Sequence, residues 1–132
     1  MRLYLVRHAD AEPGQPDELR RLTRRGREQA RTLGAALAAD GVHPDAILTS
    51  PLLRARETAE HVGRATGADV ATDARLAPGA TATSVREAIA GHGDHVVVVG
   101  HQPDCGRIAA QLTGGEERPF PKGSMVVIDL SP

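Results

Sequence analysis

The run His95-Val96-Val97-Val98-Val99-Gly100-His101-Gln102-Pro103 decides the fold. Four β-branched residues in a row leave no polar face, as expected of a strand covered by helices on both sides. Gly100 and His101 end the run, and Pro103 suits the start of a helix, where a missing N–H leaves no bond unmade.

The same alternation recurs on either side of this run. The apolar stretch from Leu3 to Val6 predicts a buried strand that ends at Arg7-His8. Residues 10–22 are polar, with Pro13, Gly14 and Pro16, and predict a loop. Thr23 is placed to cap a helix to about residue 40, because Ala30, Leu33, Leu37 and Ala38 recur at helical spacing and Gly41 then stops it. A second strand is expected over Ala46–Thr49. Pro51 or Leu52 opens a second helix with Leu52, Ala55, Ala59 and Val62 on one face and Gly67 beyond its end.

Residues 69–71 predict a weak strand, and 73–83, with Pro78-Gly79, an irregular stretch. A short helix is expected over 84–90 with Thr83 or Ser84 as its cap, another over 103–113 ended by Gly114-Gly115, and a final strand over 125–130. Strand alternates with helix throughout. That pattern predicts an α/β fold: a single domain over residues 1–132, layered helix/sheet/helix around a mainly parallel central sheet.

Bulk properties fit this and narrow the function. The chain has 132 residues, 40% hydrophobic and 25% charged. A domain of this size buries roughly two-thirds of the surface its unfolded chain exposes. Tyr4 and Phe120 are the only aromatic residues, so Ala, Val, Leu and Ile must build the core. A formal net charge of −1 supplies no global field toward nucleic acid or anionic membrane, and no apolar run approaches a membrane span. Cys105 is the only cysteine, which excludes an internal disulfide and suits a reducing compartment. With no signal-peptide pattern at residues 1–7, the cytoplasm is expected.

Ligands of open α/β sheets bind beyond the carboxyl ends of the strands. Arg7 and His8 follow the first strand; Ser50-Pro51 follows the second, with Arg54 in the next helical turn; Gly100 and His101 follow the valine strand. Two histidines, two arginines and two helix N-termini thus share one sheet edge. Helix N-termini favour anions, and the guanidinium fork matches phosphate oxygens. The pattern predicts a phosphoryl site. Neutral imidazole, with an ordinary pKa of about 6.5, is a competent nucleophile at phosphorus. His8 would form a phosphohistidine that water cleaves, while Arg7, Arg54 and a protonated His101 stabilise the equatorial oxygens. This scheme needs no metal and no cofactor.

These residues resemble the signature of the histidine phosphatase (phosphoglycerate mutase-like) superfamily. Arg7-His8-Ala9-Asp10-Ala11 is similar to its Arg-His-Gly block. Leu22-Thr23-x-x-Gly26, Ser50-Pro51-Leu52-Leu53-Arg54-Ala55-x-x-Thr58 and Gly100-His101-Gln102-Pro103 look like three further blocks in order. The resemblance covers nearly the whole chain. It implies a catalytic core of Arg7, His8, Arg54 and His101 with His8 as nucleophile. The small size and His101-Gln102-Pro103 resemble the SixA-type phosphohistidine phosphatases in particular. Ala9 replaces the usual glycine. The mutase-like members also carry a general-acid glutamate in an insert after the second helix, where this chain has Arg75-Leu76-Ala77-Pro78-Gly79. An alkoxide leaving group must be protonated, whereas imidazole leaves readily. The implied substrate is therefore a phosphohistidine in a protein, with a small phosphorylated molecule as the alternative.

Other residues have simpler readings. His43, His61, His92 and His95 fall in loops or on a polar helix face. Asp10 is expected at the pocket mouth as a substrate-binding residue, where it and Glu12 line the pocket or assist a proton transfer, with a solvated loop as the alternative. Ser50 either hydrogen-bonds phosphate or, the simpler reading, starts a helix. Cys105 reads as a small core residue and lacks the arginine six positions on that a cysteine phosphatase needs. No Gly-x-x-x-x-Gly-Lys-Ser/Thr sequence exists, which excludes a P-loop. The arginines at 20, 21, 24, 25, 27 and 31 form a solvated helix face or dock an acidic partner. No aromatic residue interleaves them for stacking on single-stranded nucleic acid. A metal-dependent hydrolase built on His8-Ala9-Asp10 is a rival reading, opposed by the repulsion of two arginines for a cation. A regulatory phosphate-binding module is another; it would be expected to lack the nucleophile or an arginine.

Overall fold

The computed structural model describes residues 1–131. Its strands are β1 (Arg2–Arg7), β2 (Ala46–Thr49), β3 (Val70–Thr72), β4 (His95–Gly100) and β5 (Met125–Asp129). Its α-helices are α1 (Arg24–Ala39), α2 (Leu53–Thr66), α3 (Ala82–Ile89) and α4 (Asp104–Thr113). The strands form one sheet in the order β3-β2-β4-β1-β5. Four run parallel, and β5 pairs antiparallel to β1 at one edge.

Side chains alternate across the sheet and feed two cores. Leu3, Leu5, Val96 and Val98 pack with Ile89 of α3 and Ile108 of α4. Tyr4, Val6, Val97 and Val99 pack with Leu33 and Leu37 of α1 and Ala59 and Val62 of α2. This is the expected three-layer arrangement. The unbroken valine run of β4 is explained by its place between β2 and β1, with a core on each face.

Most caps fall where the sequence puts them. Thr23 accepts a hydrogen bond from the Gly26 amide at the start of α1, and Gly67 and Gly114 close α2 and α4 in the left-handed conformation. Two boundaries differ. α3 begins two residues earlier than expected because Thr81 and Ser84 form a reciprocal capping box that fixes its first turn. Within the polar loop after β1, residues Asp17–Leu19 form a turn of 3-10 helix, and Ala11 bridges back to Leu22. The loop is thereby folded over the sheet edge. Cys105 is buried in the core as expected, and burial pushes its thiol up to about 12, which keeps it unreactive. No helix among the described residues is long and apolar enough to cross a membrane.

Candidate active site

Strand register assembles the site. β1 and β4 are adjacent and parallel with Arg7 opposite Gly100, so the next residues, His8 and His101, emerge side by side. The His8 amide donates to the Gly100 carbonyl at 3.0 Å and prolongs the pairing by one step. The two imidazole rings lie 5.2 Å apart between centroids. On the other side of β4, the Ser50 amide donates to the Val99 carbonyl at 3.0 Å, which brings the end of β2 to the same place. Arg54 reaches the site from the first turn of α2. His8, Arg54 and His101 are 8%, 7% and 5% exposed.

Each side chain is held by identifiable partners. His8 Nδ1 lies 2.8 Å from the Ala9 carbonyl, which can only accept, so Nδ1 carries the proton and Nε2 keeps its lone pair. The Ala9 amide donates to Thr58 Oγ1 at 3.0 Å, and the Ala9 methyl is buried with Leu22 and Ala30, which accounts for alanine at this position. His101 Nε2 sits 2.7 Å from Ser50 Oγ. Arg7 donates through Nη1 to the Phe120 carbonyl at 3.0 Å. Arg54 donates to Asp17 twice, to its carbonyl at 2.9 Å and its carboxylate at 3.2 Å. Arg20 also donates to the Asp17 carboxylate, at 3.0 Å.

The electrostatics favour an anion. Burial, and then the charges of Arg54, Arg7 and Arg20, push His8 down to about 4 against the opposing Ala9 bond. Burial, His8 and Arg54 push His101 down to about 3. The expected protonated His101 is therefore neutral in the free protein, because it is desolvated beside cations. Asp17 is held below the usual carboxylate range by its bonds to Arg20 and Arg54 and stays ionised. Arg7 Nε and His101 Nδ1 are buried with no hydrogen-bond partner among the described residues. Such orphaned groups are rare and costly, and both belong to residues whose charge or ring lies close enough to shift His8 or pack beside it.

Arg7, His8, Arg54 and His101 are thus brought together at one sheet edge. Asp10 does not join them. Its carboxylate is committed to Thr23 Oγ1 at 2.7 Å and Lys122 Nζ at 3.0 Å, which also hold its pKa below the usual range. These bonds anchor the loop after β1 to the start of α1 and to the turn at Lys122. Among the described residues no three His, Cys, Asp or Glu side chains cluster as a metal site.

Ser50 keeps its place at the start of α2, its Oγ accepting from the Leu52 amide at 3.2 Å, and the same Oγ meets His101 Nε2. Two further contributors were not expected from sequence. Asp17 and Arg20 lay in what read as plain loop and solvated helix face. Ser50 was findable, since it follows β2 as His8 and His101 follow β1 and β4. The 3-10 turn that delivers Asp17 left no periodic signal.

The family model for the histidine phosphatase superfamily (branch 1) matches residues 3–78. The phosphohistidine phosphatase SixA of Escherichia coli strain K12 is 30% identical over 129 residues, covering 91% of this chain and 79% of the relative. An uncharacterized protein of Picosynechococcus is 37% identical over 124 residues, covering 88% of this chain and 75% of its own. A solved structure of the protein histidine phosphatase SixA complexed with tungstate superposes with a TM-score of 0.89 at 25% identity, over 98% of this chain and 88% of that one.

Proposed function

The chain belongs to the histidine phosphatase superfamily and is a phosphatase; on that premise we propose that it removes phosphoryl groups from phosphohistidine in proteins through a covalent phosphohistidine on its own His8. The observation that carries this reading is the tautomer of His8. With Nδ1 held by the Ala9 carbonyl, Nε2 is an unprotonated nucleophile at any pH well above about 4. It attacks phosphorus as the P–N bond of the substrate breaks, and the departing imidazole takes a proton from solvent. Water then cleaves the P–Nε2 bond and releases orthophosphate.

Arg7, Arg54 and His101 are the groups we assign to the equatorial oxygens. The orphaned Arg7 Nε and His101 Nδ1 support this, because an anion between them supplies the missing acceptors. The Ser50 hydroxyl can donate to His101 Nε2 and so leave Nδ1 protonated toward the phosphoryl group. A bound dianion raises the pKa of His101; once it is protonated, Nε2 donates to Ser50 Oγ and Nδ1 still faces the phosphoryl group as a donor.

The carboxylates support a good leaving group. Asp17 is ionised between two arginines, Asp10 is held by Thr23 and Lys122, and Asp73 is bonded to Arg75. None of these three is free to protonate an alkoxide. The name of the Escherichia coli relative supports the same substrate class. We place all 132 residues in one histidine phosphatase domain acting without metal, in the cytoplasm, with a phosphorylated protein and neither nucleic acid nor membrane as partner.

The test is turnover of a phosphohistidine peptide beside aryl and alkyl phosphates, with and without chelator. General acid catalysis is worth about 10²–10⁴-fold, so alkyl phosphates should trail by about that factor, and chelator should change nothing. Alkyl phosphates emerging as the best substrates would overturn the substrate assignment.

A further inference from the structure

The arginines of α1 stand against the local rule for helices. The first turn of α1 carries Arg24, Arg25 and Arg27 and no acidic residue, although a helix N-terminus is already positive and disfavours cations. Arg21, Arg24, Arg25 and Arg31 are exposed. Among the described residues Arg21, Arg25 and Arg31 pair with no carboxylate, and Arg24 meets Glu28 only at 3.7 Å. Six of the 16 basic residues fall between positions 20 and 31 of a chain whose net charge is −1. Local conflicts of this kind mark places where function overrides stability.

A second feature adjoins this surface. Between α1 and the turn at residues 121–124 lies an open groove of about 470 Å³, with Arg25 and Lys122 on its walls and Leu33 and Ala36 in its floor. The turn that closes it is tied to the catalytic strand. The Gly123 amide donates to the Arg7 and His8 carbonyls, each at 3.1 Å, and Lys122 reaches Asp10, two residues from the nucleophile. Glu28 also lines the groove, and Asp10 occupies part of the charge of Lys122, so Arg25 is its uncommitted cation.

We propose that this groove and the adjoining Arg24 dock an acidic segment of the phosphoprotein substrate, which presents its phosphohistidine to His8. The proposal rests on the protein-phosphohistidine reading above. Charge complementarity selects acidic side chains, and the apolar floor suits aliphatic residues between them. No aromatic residue lines it for base stacking.

Two phosphohistidine peptides that differ only in flanking glutamates or flanking lysines provide the test, with p-nitrophenyl phosphate as a small substrate that does not reach the groove. The wild type should turn over the acidic peptide with at least about tenfold higher kcat/KM, an advantage that shrinks as added salt screens it. In Arg25→Glu the preference should collapse or invert while p-nitrophenyl phosphate hydrolysis stays within about twofold. The variant should be at least as heat-stable as the wild type, since glutamate suits the first helical turn. Equal turnover of the two peptides, or a preference that survives the variant, overturns the docking surface. If neither peptide is hydrolysed but p-nitrophenyl phosphate is, the phosphohistidine reading fails. An unphosphorylated acidic peptide then decides the surface: it stands if the peptide inhibits the wild type and not the variant, and falls otherwise. Equal inhibition by single-stranded RNA or by anionic vesicles would overturn the assignment to a peptide.

Discussion

The buried histidines make stability depend on pH in a window that ordinary carboxylates do not reach. An unfolded histidine titrates near 6.5. His8 in the folded protein holds out to about 4, chiefly because it is buried. Between these values the unfolded chain binds a proton that the folded chain refuses, so stability rises with pH and is lost on acidification. At about 1.36 kcal/mol per pKa unit, His8 alone removes about 2 kcal/mol between about pH 7 and about pH 4.5. The aspartates at 10, 17, 45, 73 and 129 have folded pKa values below 3.8 and lose their contribution mainly below this window. Urea unfolding of wild type and His8→Gln at the two pH values isolates the effect. The variant should lose about 2 kcal/mol less than wild type on acidification, with an unchanged m-value. Saturating orthophosphate should shrink the difference, because an anion beside the rings favours their protonated forms. Equal losses in the two proteins would mean that His8 titrates as in an open chain, and would refute the buried neutral nucleophile.

Other expectations concern the residues around the site. A Cβ at Gly26 would overlap the Asp10 carbonyl, so Gly26→Ala must displace the loop that carries His8; it should cost about 1–3 kcal/mol of stability by thermal unfolding and lower kcat at least tenfold. Ser50→Ala removes the partner of His101 and should cost about 1 kcal/mol, a five- to tenfold fall in steady-state kcat; an unchanged rate would return Ser50 to the role of helix start. Asp10→Asn should leave a series of substrates of rising leaving-group pKa as steep as in wild type; a series that is flat in wild type and steep in the variant would identify Asp10 as a general acid.

Much of this arrangement is legible in the sequence because its causes are local. The valine run of β4, the cap at Thr23 and the glycines at 67 and 114 each announce an element through composition or backbone freedom. Once the strands are placed, the rule that ligands sit beyond their carboxyl ends brings Arg7, His8, Arg54 and His101 together. What is not legible depends on tertiary contact. The Asp10 carboxylate faces Thr23 and Lys122, and Lys122 lies 112 positions away in the chain. The short turn at Asp17–Leu19 is set by the loop folding over Arg54. The charge state of His101 follows from burial beside other cations, which spacing alone does not reveal. The antiparallel pairing of β5 has no counterpart in its alternation pattern, since either direction buries Ile128.

The central claim is that His8 itself carries the phosphoryl group during turnover. Mixing enzyme with substrate, quenching in alkaline denaturant that preserves P–N bonds, and measuring the intact mass tests it most directly. Wild type should gain the mass of one phosphoryl group, mapped by digestion to the peptide containing His8, and His8→Ala should gain none and lose turnover while remaining folded. A His8→Ala protein that still turns over at a near-normal rate, or a phosphoryl group that maps elsewhere, would contradict the account.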